Sequence, residues 1–143
     1  MTIQTDGAVG YIEYAYAKQN NMAYALMINK TGRAVAPSAE SFQAAASNAD
    51  WAHADGYYLI LTDQAGASSW PLTGASFILV YAQPPDGAAT AEALKFFAWA
   101  YKSGGAMAAE LDYVPLPASL TAQVQSTWKA HIKSNGTSVW KGP

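Results

Sequence analysis

An uninterrupted apolar run near the middle of the chain constrains the fold more than any other feature. Residues 76–81 read Ser-Phe-Ile-Leu-Val-Tyr, which is too short for a helix and lacks the polar alternation of a half-buried strand. Such a run predicts a central β-strand that is buried on both faces, as in the parallel sheets of α/β proteins. We therefore expect neighbouring strands and helices to cover it.

The rest of the chain mixes strand and helix patterns. Strand character is predicted for residues 8–12, 23–28 and 57–62. A further short strand is predicted near Val35, joined to the strand at residues 23–28 by a turn at residues 30–33. Helices are predicted for residues 13–19, after an N-cap at Ser38, and for residues 88–102, 106–111 and 118–132. The last of these helices is expected to bury Leu120, Val124 and Trp128, which recur at steps of four. This order predicts an α/β fold of mixed sheet elements that ends in helices.

One aromatic residue falls on the polar face of the long helix predicted at residues 88–102. The helical spacing gives a core stripe of Leu94, Phe97 and Tyr101. Trp99 falls on the opposite face, among charged residues. Because a tryptophan on a solvated face is expected to be covered by something, Trp99 and the apolar Phe77 and Val80 form a candidate contact surface.

Composition excludes several classes of function. The 143 residues suit one compact domain, and a net charge of −2 without a basic run argues against nucleic acid as a partner. The absence of cysteine excludes disulfides and thiolate zinc sites. No apolar stretch approaches the roughly 20 residues that span a bilayer. The first six residues carry no signal peptide, so we expect that one has been removed or that the chain starts within a longer protein.

Candidate catalytic groups are few. His53 lies between Asp50 and Asp55, which is compatible with an acid/base pair, a metal ligand set or a small hydrolase, but we favour solvated loop residues because no second histidine is near. His131 falls near the end of the last helix, where a cation suits the helix dipole. Turns of small residues can present backbone amides to an anion where they open a helix. The turns of small residues in this chain precede a strand or end a helix instead. We expect no enzyme activity, cofactor or metal.

Three longer segments resemble one protein family. They are DGAVGYIEYAYAKQNN at 6–21, LTDQAGASSWPLTGASFILVY at 61–81 and LKFFAWAYKSGGAMAAELDYVPLP at 94–117. In order and spacing they are similar to the C-terminal half of the periplasmic phosphate-binding receptor of phosphate-specific ABC transporters. The resemblance covers nearly the whole chain.

The resemblance implies part of a periplasmic-binding-protein fold of type II, with two α/β lobes around a cleft. Residues 1–69 then correspond to lobe two, and residues 74–143 correspond to the C-terminal part of lobe one. The crossing between the lobes, a hinge, falls at Trp70, Pro71, Leu72 and Thr73. The implied ligand is inorganic phosphate, the implied partner is the membrane permease of the transporter, and the implied location is the periplasm.

The family's phosphate-binding residues have no counterpart here, because they lie upstream of the matched part. Arg33, the single arginine, precedes Val35 in a turn and lacks the Ser-Gly-Thr sequence that follows the family's ligand arginine. We therefore expect no phosphate-binding residue in this chain.

Two hypotheses stay open from the sequence. In the first, the chain is a C-terminal portion of a phosphate-uptake receptor that works with a missing N-terminal half. In the second, it is a non-transporting, self-associating interaction module derived from such a receptor. Uncovered strand edges would favour a homodimer in the second case.

Overall fold

The computed structural model describes residues 4–142, arranged as five α-helices and two small hairpins. The helices are α1 (Tyr14–Gln19), α2 (Ala39–Ser47), α3 (Gly87–Ser103), α4 (Gly105–Glu110) and α5 (Ala118–His131). The strands are β1 (Met27–Ile28), β2 (Ala34–Val35), β3 (Lys133–Ser134) and β4 (Thr137–Ser138). Two 3₁₀ turns, Trp51–His53 and Asp55–Tyr57, follow α2. The signal-peptide prediction concerns the N-terminal six residues, the first three of which lie outside the described residues.

Local capping signals set the helix starts. The predicted N-cap Ser38 accepts a hydrogen bond from the Ser41 amide at 3.2 Å, and its own amide donates to Ser41 Oγ at 2.9 Å. Asp86 caps α3 by accepting from the Ala89 amide at 3.0 Å. Since such caps satisfy amides that have no partner within the helix, they fix where each helix begins.

The first hairpin is the predicted one. β1 pairs antiparallel with β2, Met27 opposite Val35 and Ile28 opposite Ala34, and the turn at residues 30–33 joins them. The second hairpin, β3 with β4, was not predicted. Its turn consists of Asn135 (φ 50°) and Gly136 (φ 77°), the dipeptide that favours a tight hairpin turn with positive φ at both positions.

The core consists of two clusters that meet on α5. The first surrounds Leu94 of α3 and contains Ala98, Trp128, Ile132 and Trp140. The second contains Ala46, Trp51, Leu61 and Leu120. Val124 packs against both clusters, so α5 ties the C-terminal elements to those that follow α2. The predicted burial of Leu120 and Trp128 is confirmed.

The prediction of a buried central strand at residues 76–81 is wrong for this chain. These residues form no strand, and Leu79 is 94% exposed and Ile78 61% exposed. The strands predicted at residues 8–12 and 57–62 are also absent, apart from an isolated antiparallel bridge between Thr62 and Leu72. The physical reason is that a strand needs strands to pair with, and the sheets within residues 4–142, β1 with β2 and β3 with β4, include none of these segments.

None of the described helices combines the length and the apolar character needed to cross a membrane.

Candidate hinge and groove

The predicted hinge, residues 70–73, is held against the elements that precede it. The Trp70 amide donates to the carbonyl of Ser41 in α2 at 3.1 Å, and the Pro71 carbonyl accepts from the Asp63 amide at 2.9 Å. Thr73 turns its hydroxyl back onto the Trp70 carbonyl at 2.9 Å. Trp70, Pro71 and Thr73 are buried, so the segment is anchored at both of its ends.

Leu72 differs from the other three hinge residues. Its backbone bridges to Thr62, but 58% of the residue is exposed. Directly after the anchored Thr73, the chain continues as the exposed segment 76–81. Residues 70–73 therefore mark the point at which the backbone passes from packed structure to an exposed segment that forms no strand.

A groove of about 490 Å³ lies beside this segment. One wall is formed by α1 and α2, including Tyr14 and Phe42, and the opposite wall by residues 112–117. Leu61 and residues 72–76 also line it. The ring of Phe42 meets those of Tyr14 at 5.2 Å and Trp70 at 6.5 Å, edge to face in both cases, so the α1–α2 wall is fixed by aromatic packing.

Two polar contacts join the walls of this groove. The Gln43 side-chain amide donates to the Pro115 carbonyl at 3.0 Å. Lys18 Nζ donates to Asp112 Oδ1 at 2.5 Å. The hydrogen bond from Lys18 to Asp112, followed by the negative charge of Asp112, raises the pKa of Lys18 above its ordinary value. The lysine is thus held in its charged form.

The remaining carboxylate of the groove also has a structural role. Both oxygens of Glu13 accept backbone amides of α1, those of Ala15 and Tyr16, at 3.1 Å each. Both carboxylates among the described residues that line the groove, Glu13 and Asp112, are therefore engaged in hydrogen bonds within the chain.

The histidine and arginine considered in the sequence lie elsewhere. His53 Nδ1 is 2.8 Å from Asp50 Oδ2, and the two side chains are 84% and 67% exposed, as expected for solvated residues. Arg33 lies exposed at the end of the hairpin turn, immediately before β2. Within residues 4–142, no group of three or more potential ligands could hold a metal ion.

The predicted contact surface is exposed. Phe77 is 51%, Val80 39% and Trp99 50% exposed, and Trp99 is flanked by the ring of Phe96 at 5.9 Å.

Sequence reasoning missed the residues that join the groove walls. Lys18 and Asp112 are 94 positions apart, and Gln43 and Pro115 are 72 apart. No local pattern links residues at such separations. The one available signal was Asp112 itself, an acidic residue two positions after a short helix that ends in acidic Glu110.

Comparison with known proteins connects this geometry to a family. A phosphate-binding protein PstS of Pasteurella multocida (strain Pm70) is 49% identical over 135 residues, which cover 94% of this chain and 39% of that protein. PstS of Haemophilus influenzae (strain ATCC 51907 / DSM 11121 / KW20 / Rd) is 47% identical, with 88% and 38% covered. PstS of Xylella fastidiosa (strain 9a5c) is 45% identical, with 91% and 36% covered.

All three relatives bear the name of a ligand-binding protein, and none of the three bears that of an enzyme. The matches therefore first define the class, that of ligand-binding proteins. The particular family is that of the phosphate-binding protein PstS, and the resemblance drawn from three sequence segments is confirmed. The chain spans less than two fifths of the length of these relatives, an extent consistent with a C-terminal portion. No protein-family model matches the chain.

Proposed function

We propose that the chain is the C-terminal portion of a phosphate-binding receptor of an ABC transporter, and that it supplies scaffold and not anion ligands. The identity of 49% over 94% of the chain supports the receptor assignment. The exposed position of Arg33 beside a hairpin turn supports the absence of an anion site, because a dehydrated anion needs convergent donors.

The observation that carries this proposal is the state of residues 76–81. Their apolar side chains are exposed on both faces of the segment, from Val80 at 39% to Leu79 at 94%. A second copy pairing along one edge would leave at least one apolar face in water. Complete burial requires cover on both faces and strands on both edges, which a larger polypeptide can supply. The larger part of each relative lies outside the match.

In this proposal the two halves of the chain belong to different lobes of a type II periplasmic-binding-protein fold. Residues 1–69 belong to lobe two, residues 74–143 to lobe one, and residues 70–73 to a hinge crossing. The anchored Trp70 and Thr73 on either side of the more exposed Leu72 suit a hinge, since only a few backbone dihedrals need to change. Location in the periplasm, delivery to a membrane permease and the lack of enzyme activity are parts of the same proposal.

A chimera tests the receptor function. The part of the Pasteurella multocida relative that precedes the match is joined to this chain at Asp6, and phosphate binding is measured by equilibrium dialysis. We expect saturable binding by the chimera. The matched control carries Leu79→Lys, which places a charge in the segment that must become a buried strand, and should lose both folding and binding. A folded chimera that binds no phosphate would contradict the proposal.

The second candidate, a self-associating module, is favoured by a different part of the same surface. Trp99 and Phe96 expose 50% and 59% of their area on α3, and unpaired strand segments invite pairing with another copy. Multi-angle light scattering of this chain over a range of concentrations would show a dimer that Leu79→Lys or Trp99→Ser weakens. A monomer at every concentration would contradict this candidate.

A further inference from the structure

The ion pair between Lys18 and Asp112 joins two parts of the chain that are remote in sequence. Lys18 lies in the last turn of α1, and Asp112 lies two residues beyond the end of α4. The lysine side chain is 57% exposed, whereas that of Asp112 is 13% exposed. A carboxylate withdrawn from water to this extent needs a cationic partner, and Lys18 provides it.

Both residues are carried on well-defined helix ends. Asn20 is the C-cap of α1 and is followed by Asn21 with φ 50°, and the Met22 amide donates to the Ala17 carbonyl at 2.9 Å. Asp112 itself has φ 61°, and the Tyr113 amide returns to the Ala108 carbonyl at 2.9 Å. These are the hydrogen bonds of left-handed helix caps, so they fix the backbone conformation at the C-terminal ends of α1 and α4.

The helix dipoles explain why this carboxylate depends on its partner. A negative charge at the C-terminus of α4 is unfavourable, and a positive charge at the C-terminus of α1 is favourable. The dipole of α4 therefore disfavours the negative charge of Asp112, and the contact with Lys18 offsets this unfavourable interaction. Glu110, in the last turn of α4, adds a second negative charge nearby.

The ion pair lies at the groove. Tyr14 of α1 is part of one wall and Asp112 begins the other, and the Gln43–Pro115 hydrogen bond joins the same two walls. We propose that Lys18 and Asp112 form an ionic latch that holds the groove walls together and whose release opens the groove. This inference rests on the geometry alone and not on phosphate binding. Because the Lys18 side chain is 57% exposed, solvent screens the pair and keeps its contribution to global stability small, which suits a contact that forms and breaks reversibly.

Distance measurement by double electron–electron resonance tests the latch. The chain has no cysteine, so Gln19→Cys and Glu110→Cys, both at exposed positions, give two unique spin labels across the groove. We expect the labelled chain to show a dominant short distance. Asp112→Asn keeps a residue that tolerates positive φ, and should raise the ratio of the longer to the shorter population by up to about fivefold, the upper range for an exposed pair. Lys18→Gln should do the same, and Lys18→Arg should not.

The matched control is Lys95→Gln, which removes the exposed 2.7 Å pair with Glu92 inside α3 and should leave the distances unchanged. At a salt concentration of about 1 M, electrostatic screening acts over about 3 Å. This salt concentration should shift the distance distribution of the labelled chain that retains Lys18 and Asp112, and should leave that of the Lys18→Gln variant unchanged. The salt titration decides the question even if Asp112→Asn fails to fold. Distances that respond neither to the substitutions nor to salt would overturn the latch.

Discussion

At the scale of single residues, Asn29 organises the N-terminal part of the chain. It is 5% exposed, and its side-chain amide donates to the carbonyls of Gly66, Ala67 and Ser69 at 3.1, 3.1 and 3.3 Å. Its Oδ1 accepts from the Thr31 amide at 3.0 Å and the Arg33 amide at 3.2 Å. One side chain thus shapes the hairpin turn and attaches it to the loop that leads into the hinge.

Replacing Asn29 by aspartate tests this role. The substitution removes both donors and turns a carboxylate oxygen toward three carbonyls, so we expect a loss of about 2–3 kcal/mol in the free energy of unfolding, the cost of buried groups left without partners. Urea denaturation followed by tryptophan fluorescence measures it. Asn20→Asp is the control: Asn20 is exposed and its amide makes one bond, to Tyr16, so its cost should stay below about 1 kcal/mol. Equal costs would contradict the assigned role.

At the scale of elements, the helices could be predicted and the strands largely could not. Ser38 and the spacing of Leu120 and Trp128 are local signals, and they fixed α2 and α5 because a cap and an amphipathic face act within a few turns. Residues 76–81 carry the composition of a buried strand, but pairing depends on a neighbour that the described residues do not contain. Asn135-Gly136 did carry a local hairpin signal.

Leu94 on α3 provides the test of the C-terminal core. It is completely buried, in the cluster that contains Trp128 and Trp140, whose rings meet at 5.3 Å and 88°. We expect Leu94→Ala to lower the free energy of unfolding by about 2–5 kcal/mol, the range for buried leucines.

The control is Leu111→Ala, at a residue that is 62% exposed and should cost about 0.5 kcal/mol or less. Thermal denaturation followed by near-ultraviolet circular dichroism reports on the tryptophan cluster directly. A similar small effect from both substitutions would show that α3 is not packed as described.

At the scale of the whole molecule, contacts between residues distant in sequence determine the features that could not be predicted from the sequence. Leu61 and Leu120 share one core cluster although they lie on opposite sides of the predicted hinge, and Lys18 reaches Asp112 across the groove. Family resemblance could be recognised from continuous segments, because it needs no knowledge of contacts. The groove and its latch required the folded chain, since their residues come together only through tertiary packing.

In the proposed function, this chain provides receptor scaffold without the donors that hold phosphate. Isothermal titration of phosphate into the 143-residue chain, in a buffer free of other oxyanions, measures whether such donors are present. We expect heats of dilution alone, with no saturable binding. A one-site isotherm with micromolar or tighter affinity would contradict it, because the anion would then have found a complete set of donors within these residues.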